Sequence, residues 1–363
     1  MDIKQGNLLR QFEMFKDEYE NKALEVLRSG WYILGKEVKA FEEEFAAYLG
    51  AKYCAGLASG LDALYLSFRV LNIGEGDEVI VPANTYIASV MGITMAGATP
   101  VFVEPDEFYN INPDKIEEKI NEKTKAVLSV NLYGQACDLE KISGVCKKYN
   151  LYLVEDCAQS HGARFNGVLT NKYCDISCYS FYPSKNLGCF GDGGAIVTDN
   201  EDLYKLFKIY RNYGSEVRYH NMVVGVNSRL DELQAGLLRV KLMHLDELNE
   251  ERAQIAQKYN NGIKNSKLEL PTIREGATTV WHQFVVRTKD RDELVSYLAG
   301  KGIGTLIHYP IPPHLSEAYA YLGYKEGDFE ITERCAKEIL SLPIYNGMTD
   351  EEINYVIDAL NAF

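Results

Sequence analysis

Short apolar runs alternate with amphipathic segments along the N-terminal half of the chain. The apolar runs stand at residues 53–57, 77–82, 99–103, 126–131 and 151–154. In the segments between them, apolar residues recur with a helical period; these segments cover residues 59–68, 89–96, 114–120 and 139–149. Continuous apolar runs predict buried strands, whereas the helical period predicts amphipathic helices. The alternation predicts an α/β fold, built on a mainly parallel sheet with helices on both faces.

A second group of elements is predicted in the C-terminal part of the chain. The segment 229–248 has the apolar period of one long helix. Beyond it, predicted strands and helices alternate again, at residues 281–287, 290–300, 304–308 and 332–340. We therefore expect a large domain over residues 1–245 and a smaller C-terminal α/β domain over residues 246–363.

Composition excludes several classes of function. A net charge of −14 argues against nucleic acid as a partner, although a local glycine-rich loop can still bind the phosphate of a small molecule. The eight cysteines are scattered through apolar segments, which favours buried, reduced thiols over a disulfide framework or a structural metal site. Residues 1–9 lack the apolar core of a signal peptide, and no apolar run is long enough to span a bilayer. We expect a cytoplasmic protein without a membrane partner.

A single lysine, Lys185, stands between an aromatic run and four glycines in the segment SFYPSKNLGCFGDGGAI. A lysine in a glycine-rich loop is usually solvated, but the flanking segments 178–182 and 194–198 both predict strands. We therefore expect Lys185 on a tight loop where burial lowers its pKa and leaves a nucleophilic free amine.

Asp156 closes the apolar run that begins at Leu151. Ligands of open α/β sheets gather at the carboxyl ends of the strands. A carboxylate there and a buried lysine are what pyridoxal phosphate requires. The lysine amine condenses with the cofactor aldehyde, and the carboxylate pairs with the protonated pyridine nitrogen. The alternative is that Asp156 caps a helix over residues 158–163.

Other candidate positions each have a structural alternative. Ser59 and Gly60 begin a predicted helix, where a hydroxyl and backbone N–H groups bind phosphate or simply cap the helix. Tyr86 follows a predicted strand and is suited to stack on a heteroaromatic ring or to pack in the core. The polar segment 213–229 is typical of a ligand-binding loop or of ordinary surface. Prolines make the segment 304–314 rigid, so its histidines either face a site or lie in the core.

The setting of Lys185, FYPSKNLG, and the segment VEDCAQSHG at 154–162 resemble the lysine loop and cofactor strand of a known family. This family is the DegT/DnrJ/EryC1/StrS group of nucleotide-sugar aminotransferases. The resemblance extends from about Trp31 to about Pro343, nearly the whole chain. It implies a fold type I transferase dependent on pyridoxal phosphate, with a mixed, mainly parallel sheet in the large domain.

The resemblance also implies roles for individual residues around the cofactor ring. Lys185 would bind the cofactor covalently and act as the general base and acid. Asp156 would pair with the pyridine nitrogen, Gln159 would lie near the phenolic oxygen, and Tyr86 would lie on the ring face.

Four positions resemble the phosphate contacts of the family. Ser59 and Gly60 match the start of the phosphate-binding helix, and Ser180 matches a second phosphate-binding hydroxyl. Asn227 resembles an asparagine that reaches the cofactor phosphate of the other subunit. The resemblance therefore implies a homodimer with shared active sites.

The residues near Arg218 and the run 307–315 most resemble enzymes that aminate the C-3 ketone of a dTDP-3-keto-6-deoxyhexose. L-Glutamate would donate the amine, and the 3-amino-3,6-dideoxyhexose product would serve cell-surface or secondary-metabolite glycans. The candidate sugar contacts are Tyr32, Tyr219, His220, His308 and His314. One alternative is C-4 amination of a UDP- or dTDP-4-keto-6-deoxysugar. Others are sugar dehydration, which relatives perform with histidine in place of Lys185, and a non-catalytic sugar-binding regulator.

Overall fold

The computed structural model describes all 363 residues. Its strands in chain order are β1 (Tyr53–Leu57), β2 (Glu78–Pro82), β3 (Thr99–Val103), β4 (Thr124–Val130), β5 (Tyr152–Asp156), β6 (Arg164–Phe165), β7 (Val168–Leu169), β8 (Ile176–Ser180), β9 (Gly194–Thr198), β10 (Ser215–Val217), β11 (His220–Asn221), β12 (Phe284–Arg287) and β13 (Ile339–Leu342). Its α-helices are α1 (Leu8–Met14), α2 (Lys16–Ser29), α3 (Lys36–Tyr48), α4 (Gly60–Val70), α5 (Ile87–Met95), α6 (Leu139–Tyr149), α7 (Glu201–Tyr210), α8 (Glu232–Met243), α9 (Leu245–Gly262), α10 (Arg291–Gly300), α11 (Glu330–Glu338) and α12 (Asp350–Asn361).

A seven-stranded sheet in the order β1-β9-β8-β5-β4-β2-β3 forms the centre of the molecule. Strand β9 is antiparallel to both of its neighbours, and every other pairing in the sheet is parallel. The predicted mainly parallel α/β fold is therefore confirmed. The carboxyl ends of β1, β5 and β8 lie at one edge of this sheet, and the segments that follow them carry Ser59, Asp156 and Lys185.

Strand β4 illustrates why the sheet is covered on both faces. Leu128 packs into the core cluster that includes residues of α4 and α5, whereas its neighbour Val127 packs into a cluster with α6. Successive strand side chains point to opposite faces, so a run that is apolar at every position needs cover on both sides. The predicted layers of helices on both faces are present.

The C-terminal part of the chain has its own core. Strands β12 and β13 pair antiparallel and pack with residues of α9, α10 and α12, and Ile3 from the N-terminus joins them. Leu245, at the start of α9, packs with the sheet-side core, whereas Tyr259 of the same helix packs in the C-terminal core. The division at residues 245 and 246 remains a prediction, and α9 is the element that passes from one core to the other.

Three predicted elements differ from the structure. Residues 114–120 form two 3₁₀ turns because only Ile116 and Ile120 are apolar there, too few for a helical stripe. Residues 304–308 make a single bridge at Leu306, and the prolines just beyond cannot donate to a ladder. The helix predicted over 229–248 is interrupted at His244, whose ring stacks on Phe15.

None of the helices combines the length and apolar character needed to cross a membrane.

Candidate active site

Asp156 ends β5 at the carboxyl edge of the sheet and is only 7% exposed. Its Oδ2 accepts a hydrogen bond from Ser89 Oγ at 2.8 Å, and its Oδ1 accepts one from Ala158 N at 3.1 Å. Residues 158–163 form turns, so the alternative that Asp156 caps a helix there is wrong. The carboxylate is instead a fixed, buried acceptor at the end of a strand.

Lys185 lies in the loop that joins β8 to the adjacent antiparallel β9. The side chain is half-buried, and its Nζ makes no hydrogen bond or ion pair. Burial lowers the pKa of Lys185 to about 8, and the nearby Asp156 carboxylate opposes that fall. Burial raises the pKa of Asp156, and the hydrogen bonds and Lys185 oppose that rise. A pKa near 8 leaves roughly a tenth of the amine free at neutral pH, which suits a nucleophile.

Gln159 is buried three residues beyond Asp156 and is held from both ends of its amide. Its Oε1 accepts a hydrogen bond from Tyr133 N at 2.6 Å, and its Nε2 donates one to Tyr309 Oη at 3.1 Å. The Tyr309 ring lies 5.0 Å from the Tyr86 ring. Tyr86 is 51% exposed, so it is not a core tyrosine. Its ring instead borders the group of side chains around Gln159.

Ser59, Gly60 and Ser180 lie against one another where β1 and β8 end. Ser59 is the N-cap of α4, and its Oγ accepts a hydrogen bond from Asp62 N at 3.1 Å. A Cβ at Gly60 would lie 2.6 Å from the Ser180 Cβ, and one at Gly194 would lie 2.3 Å from the Ser59 carbonyl. Both glycines are thus required for this close approach. Two hydroxyls and the N-terminus of α4 meet here, as in an anion-binding helix start.

Asn227 precedes α8, and its side chain is exposed. The next residue, Ser228, donates a hydrogen bond to Asp62 in the first turn of α4. Tyr219 and His220 belong to a small hairpin of β10 and β11. Tyr219 is 82% exposed, and within this chain the Arg218 guanidinium lies 4.9 Å from the centre of its ring. Nothing in the single chain brings Tyr219 or His220 into contact with Lys185 or Asp156. Their assignment as sugar contacts remains a prediction.

The other predicted sugar contacts occupy three different environments. Tyr32 is 51% exposed, and its hydroxyl donates a hydrogen bond to Leu27 O. His308 is half-buried with Nδ1 2.8 Å from Ser341 Oγ, and burial together with Lys185 lowers its pKa to about 4. His314 is 1% exposed, with Nε2 3.1 Å from Glu333 Oε1. These contacts give His314 a structural role, and its assignment as a sugar contact has no support from the geometry.

The structure adds side chains to this site that the sequence did not single out. Ser89 Oγ donates a hydrogen bond to Asp156, and Tyr309 Oη accepts one from the side-chain amide of Gln159. Two further histidines, His161 and His282, are buried near enough to Lys185 for its charge to help lower their pKa. Tyr309 lies within the proline-rich segment 304–314, and its aromatic ring is the one feature of the sequence that could have indicated a role in the site. The structure forms no cluster of three or more His, Cys, Asp or Glu side chains able to hold a metal ion.

Comparison with known proteins places this geometry in context. The model of the DegT/DnrJ/EryC1/StrS aminotransferase family matches residues 14–361. The dTDP-3-amino-3,6-dideoxy-alpha-D-galactopyranose transaminase of Aneurinibacillus thermoaerophilus is 52% identical over 357 residues, which is 98% of each chain.

Solved structures agree with this relationship. The structure of DesV from S. venezuelae is 43% identical, covers 99% of this chain and 98% of its own, and superposes with a TM-score of 0.98. NtdA from Bacillus subtilis, solved with bound cofactor PMP, is 32% identical, with a TM-score of 0.89 over 95% of this chain and 80% of its own. This chain belongs to the DegT/DnrJ/EryC1/StrS aminotransferase family.

Proposed function

We propose that this protein is a pyridoxal-phosphate-dependent aminotransferase that moves an amine from L-glutamate to the C-3 ketone of a dTDP-3-keto-6-deoxyhexose. The observation that carries the chemistry is the pair of Lys185 and Asp156, two buried or half-buried groups that influence each other's pKa at the carboxyl edge of the sheet. The choice of sugar rests on the activity of the Aneurinibacillus thermoaerophilus transaminase that is 52% identical.

The residues at this edge fit pyridoxal phosphate. Gly60 and Gly194 allow the Ser59–Gly60 turn to lie against Ser180 and the start of β9, which brings two hydroxyls to the N-terminus of α4, where a phosphate can bind. Lys185 supplies an amine without a partner. When bound, the cofactor supplies an aldehyde to take up the donor amine and a protonated ring to accept electrons.

Each side chain near the cofactor ring would have a separate role. Asp156 would hold the ring nitrogen protonated, and Ser89 would keep its carboxylate in place. Lys185, with a pKa near 8, would move protons at the reacting carbon as general base and acid. Gln159 would donate toward the phenolic oxygen, and Tyr86 would cover one face of the ring.

Regiochemistry depends on how the sugar is held, because the cofactor contacts treat every ketone alike. His308, half-buried with a pKa lowered to about 4, is neutral at physiological pH, and because Ser341 Oγ engages its Nδ1, its Nε2 is the ring nitrogen left to bond a sugar hydroxyl. A site built to hydrogen-bond such hydroxyls rejects a mispositioned ketone strongly. Tyr32, Tyr219 and His220 are proposed to add contacts once a second copy of the chain covers the site.

The test is a paired assay with L-glutamate and either a dTDP-3-keto-6-deoxyhexose or a dTDP-4-keto-6-deoxyhexose, with the product identified by NMR. The proposal predicts a 3-amino sugar and little turnover of the 4-ketone. A 4-amino product would favour the alternative regiochemistry. Absence of any amino sugar, together with tight sugar binding, would favour a regulator.

A further inference from the structure

A buried serine, Ser228, closes a ring of hydrogen bonds around the start of α4. Its Oγ donates to Asp62 Oδ2 at 2.7 Å and accepts from Ala58 N at 3.1 Å. Asp62 N in turn donates to Ser59 Oγ at 3.1 Å. Ser228 is 1% exposed, and its own N–H donates to Arg211 O at 3.0 Å. The hydroxyl therefore has a fixed position and two engaged partners.

Asp62 is the acidic residue in the first turn of α4. A carboxylate there stabilises the positive end of the helix dipole, but it also competes with and repels any other anion at that helix start. The first N–H groups of a helix have no intrahelical acceptor, so a free carboxylate nearby would compete for them. Ser228 gives the Asp62 carboxylate a hydrogen-bond donor that is not one of the first N–H groups of α4.

We propose that Ser228 is a positioning residue for phosphate binding: it holds the Asp62 carboxylate aside and fixes the Ala58–Gly60 turn. The inference rests on the proposed cofactor, since its ligand is the cofactor phosphate. Ser228 itself does not touch the phosphate. Loss of its hydroxyl leaves the Asp62 carboxylate free to move near Ser59 and Gly60, and it removes a hydrogen bond that fixes the Ala58–Gly60 turn.

The experiment compares the affinity of apo-protein for pyridoxal phosphate and for pyridoxal, which lacks the phosphate. We expect S228A to weaken pyridoxal phosphate binding on the order of tenfold, since a like charge is set free near the phosphate. Pyridoxal binding should be unchanged. S228T keeps the hydroxyl and should bind both compounds like the wild type.

The double variant D62N/S228A separates charge from packing. Without the carboxylate, it should recover most of the lost affinity for pyridoxal phosphate, whereas a serine that serves only packing would show no recovery. Equal loss for both compounds, or no loss in S228A, would overturn the inference. Should S228A fail to fold, D62N alone decides the question. It should bind pyridoxal phosphate as tightly as the wild type or more tightly, and weaker binding would contradict the inference.

The wild-type measurement distinguishes this inference from the proposed function. A wild-type chain that binds no pyridoxal phosphate would remove the proposed function and the inference together. A wild-type chain that binds it, with S228A indistinguishable, would remove the inference alone.

Discussion

Asp156 and Tyr219 represent the buried part and the exposed part of the candidate site. Asp156 is 7% exposed and accepts two hydrogen bonds, while Tyr219 is 82% exposed on a small hairpin, with the Arg218 guanidinium 4.9 Å from the centre of its ring. The residues proposed to meet the cofactor ring all lie within one chain, whereas Asn227 is proposed to reach the cofactor phosphate of a second copy. Of the proposed sugar contacts, Tyr32 and Tyr219 are more than half exposed, and neither is hydrogen-bonded to Lys185 or Asp156. We infer that chemistry is built into the sheet edge, whereas specificity depends on surfaces that a second subunit completes.

The largest effect is expected at Lys185. K185A removes both the nucleophile and the proton carrier, so turnover should fall at least about 10³-fold. The variant should still fold, because the Lys185 side chain makes no hydrogen bond or ion pair. Absorbance of the holoprotein and borohydride trapping of the cofactor measure attachment directly. Trapping in K185A, or trapping of the wild type on another lysine, would contradict the assignment.

D156N should give the next largest loss. Removal of the charge weakens the hold on a protonated ring nitrogen, so turnover with glutamate should fall about 10²-fold while cofactor binding persists better. S89A is the matched control, since it removes one hydrogen bond to the same carboxylate and leaves the charge. Turnover of S89A with glutamate should fall about tenfold or less. Unchanged turnover in D156N would leave Asp156 with a structural role only.

H308A and H220A should affect the two half-reactions unequally. We expect a loss of about tenfold to 10²-fold in the sugar half-reaction and about twofold or less in the glutamate half-reaction, since these side chains are proposed to hold the sugar. Single-turnover kinetics of each half-reaction measure the split. Equal defects in both halves would contradict a sugar-binding role for the two histidines.

Mixing inactive subunits tests whether the exposed loops act on a second copy. Subunits with K185A and subunits with N227A should regain up to about a quarter of wild-type activity after exchange, because one hybrid site carries neither defect. Mass spectrometry of the mixed dimers verifies exchange. Lack of rescue in verified hybrids of two inactive parents would indicate that Asn227 serves its own chain.

The smallest effect concerns pH and stability at the buried end. His161 is fully buried, neither ring nitrogen has a partner, and burial lowers its pKa from 6.5 to about 3. The unfolded chain therefore takes up the proton first. The contribution of His161 to stability is present above pH 6.5 and is lost as the pH falls toward 3.

Denaturant unfolding at pH 7.5 and pH 5 measures this contribution. The histidine accounts for about 2 kcal/mol between pH 6.5 and pH 5, and H161F should abolish that share of the pH dependence. An identical pH dependence in H161F would mean that other groups cause the acid sensitivity.

The sheet and the cofactor end were predictable because the signals are local. The parallel strands β2 to β5 are largely apolar runs, and Asp156 closes one of them, so its position at the carboxyl edge follows from the fold class. Lys185 stood between two predicted strands that are indeed neighbours in the sheet. The sequence could not indicate that residues 158–163 turn instead of forming a helix.

Positions that depend on distant parts of the chain were not predictable. Tyr309 reaches Gln159 across 150 positions of sequence, and no periodic pattern records such a contact. His308 and His314 looked equivalent in the proline-rich run. The structure leaves the first near Lys185 and buries the second against Glu333, Phe102 and Phe329.

The reversed strand β9 has a consequence for the nascent chain. It lies between β1 and β8 in the sheet and is the strand that pairs with β1, which is at the edge. Leu57 therefore has no pairing partner until Gly194 has been synthesised. At a synthesis rate of about 5–20 residues per second, the ribosome needs roughly 7–30 seconds to supply that partner. During this interval β1 has no strand partner, although α3, which packs against it, has already been synthesised. The reversal that closes the loop of Lys185 thus also makes the first strand one of the last parts of the sheet to be protected during translation.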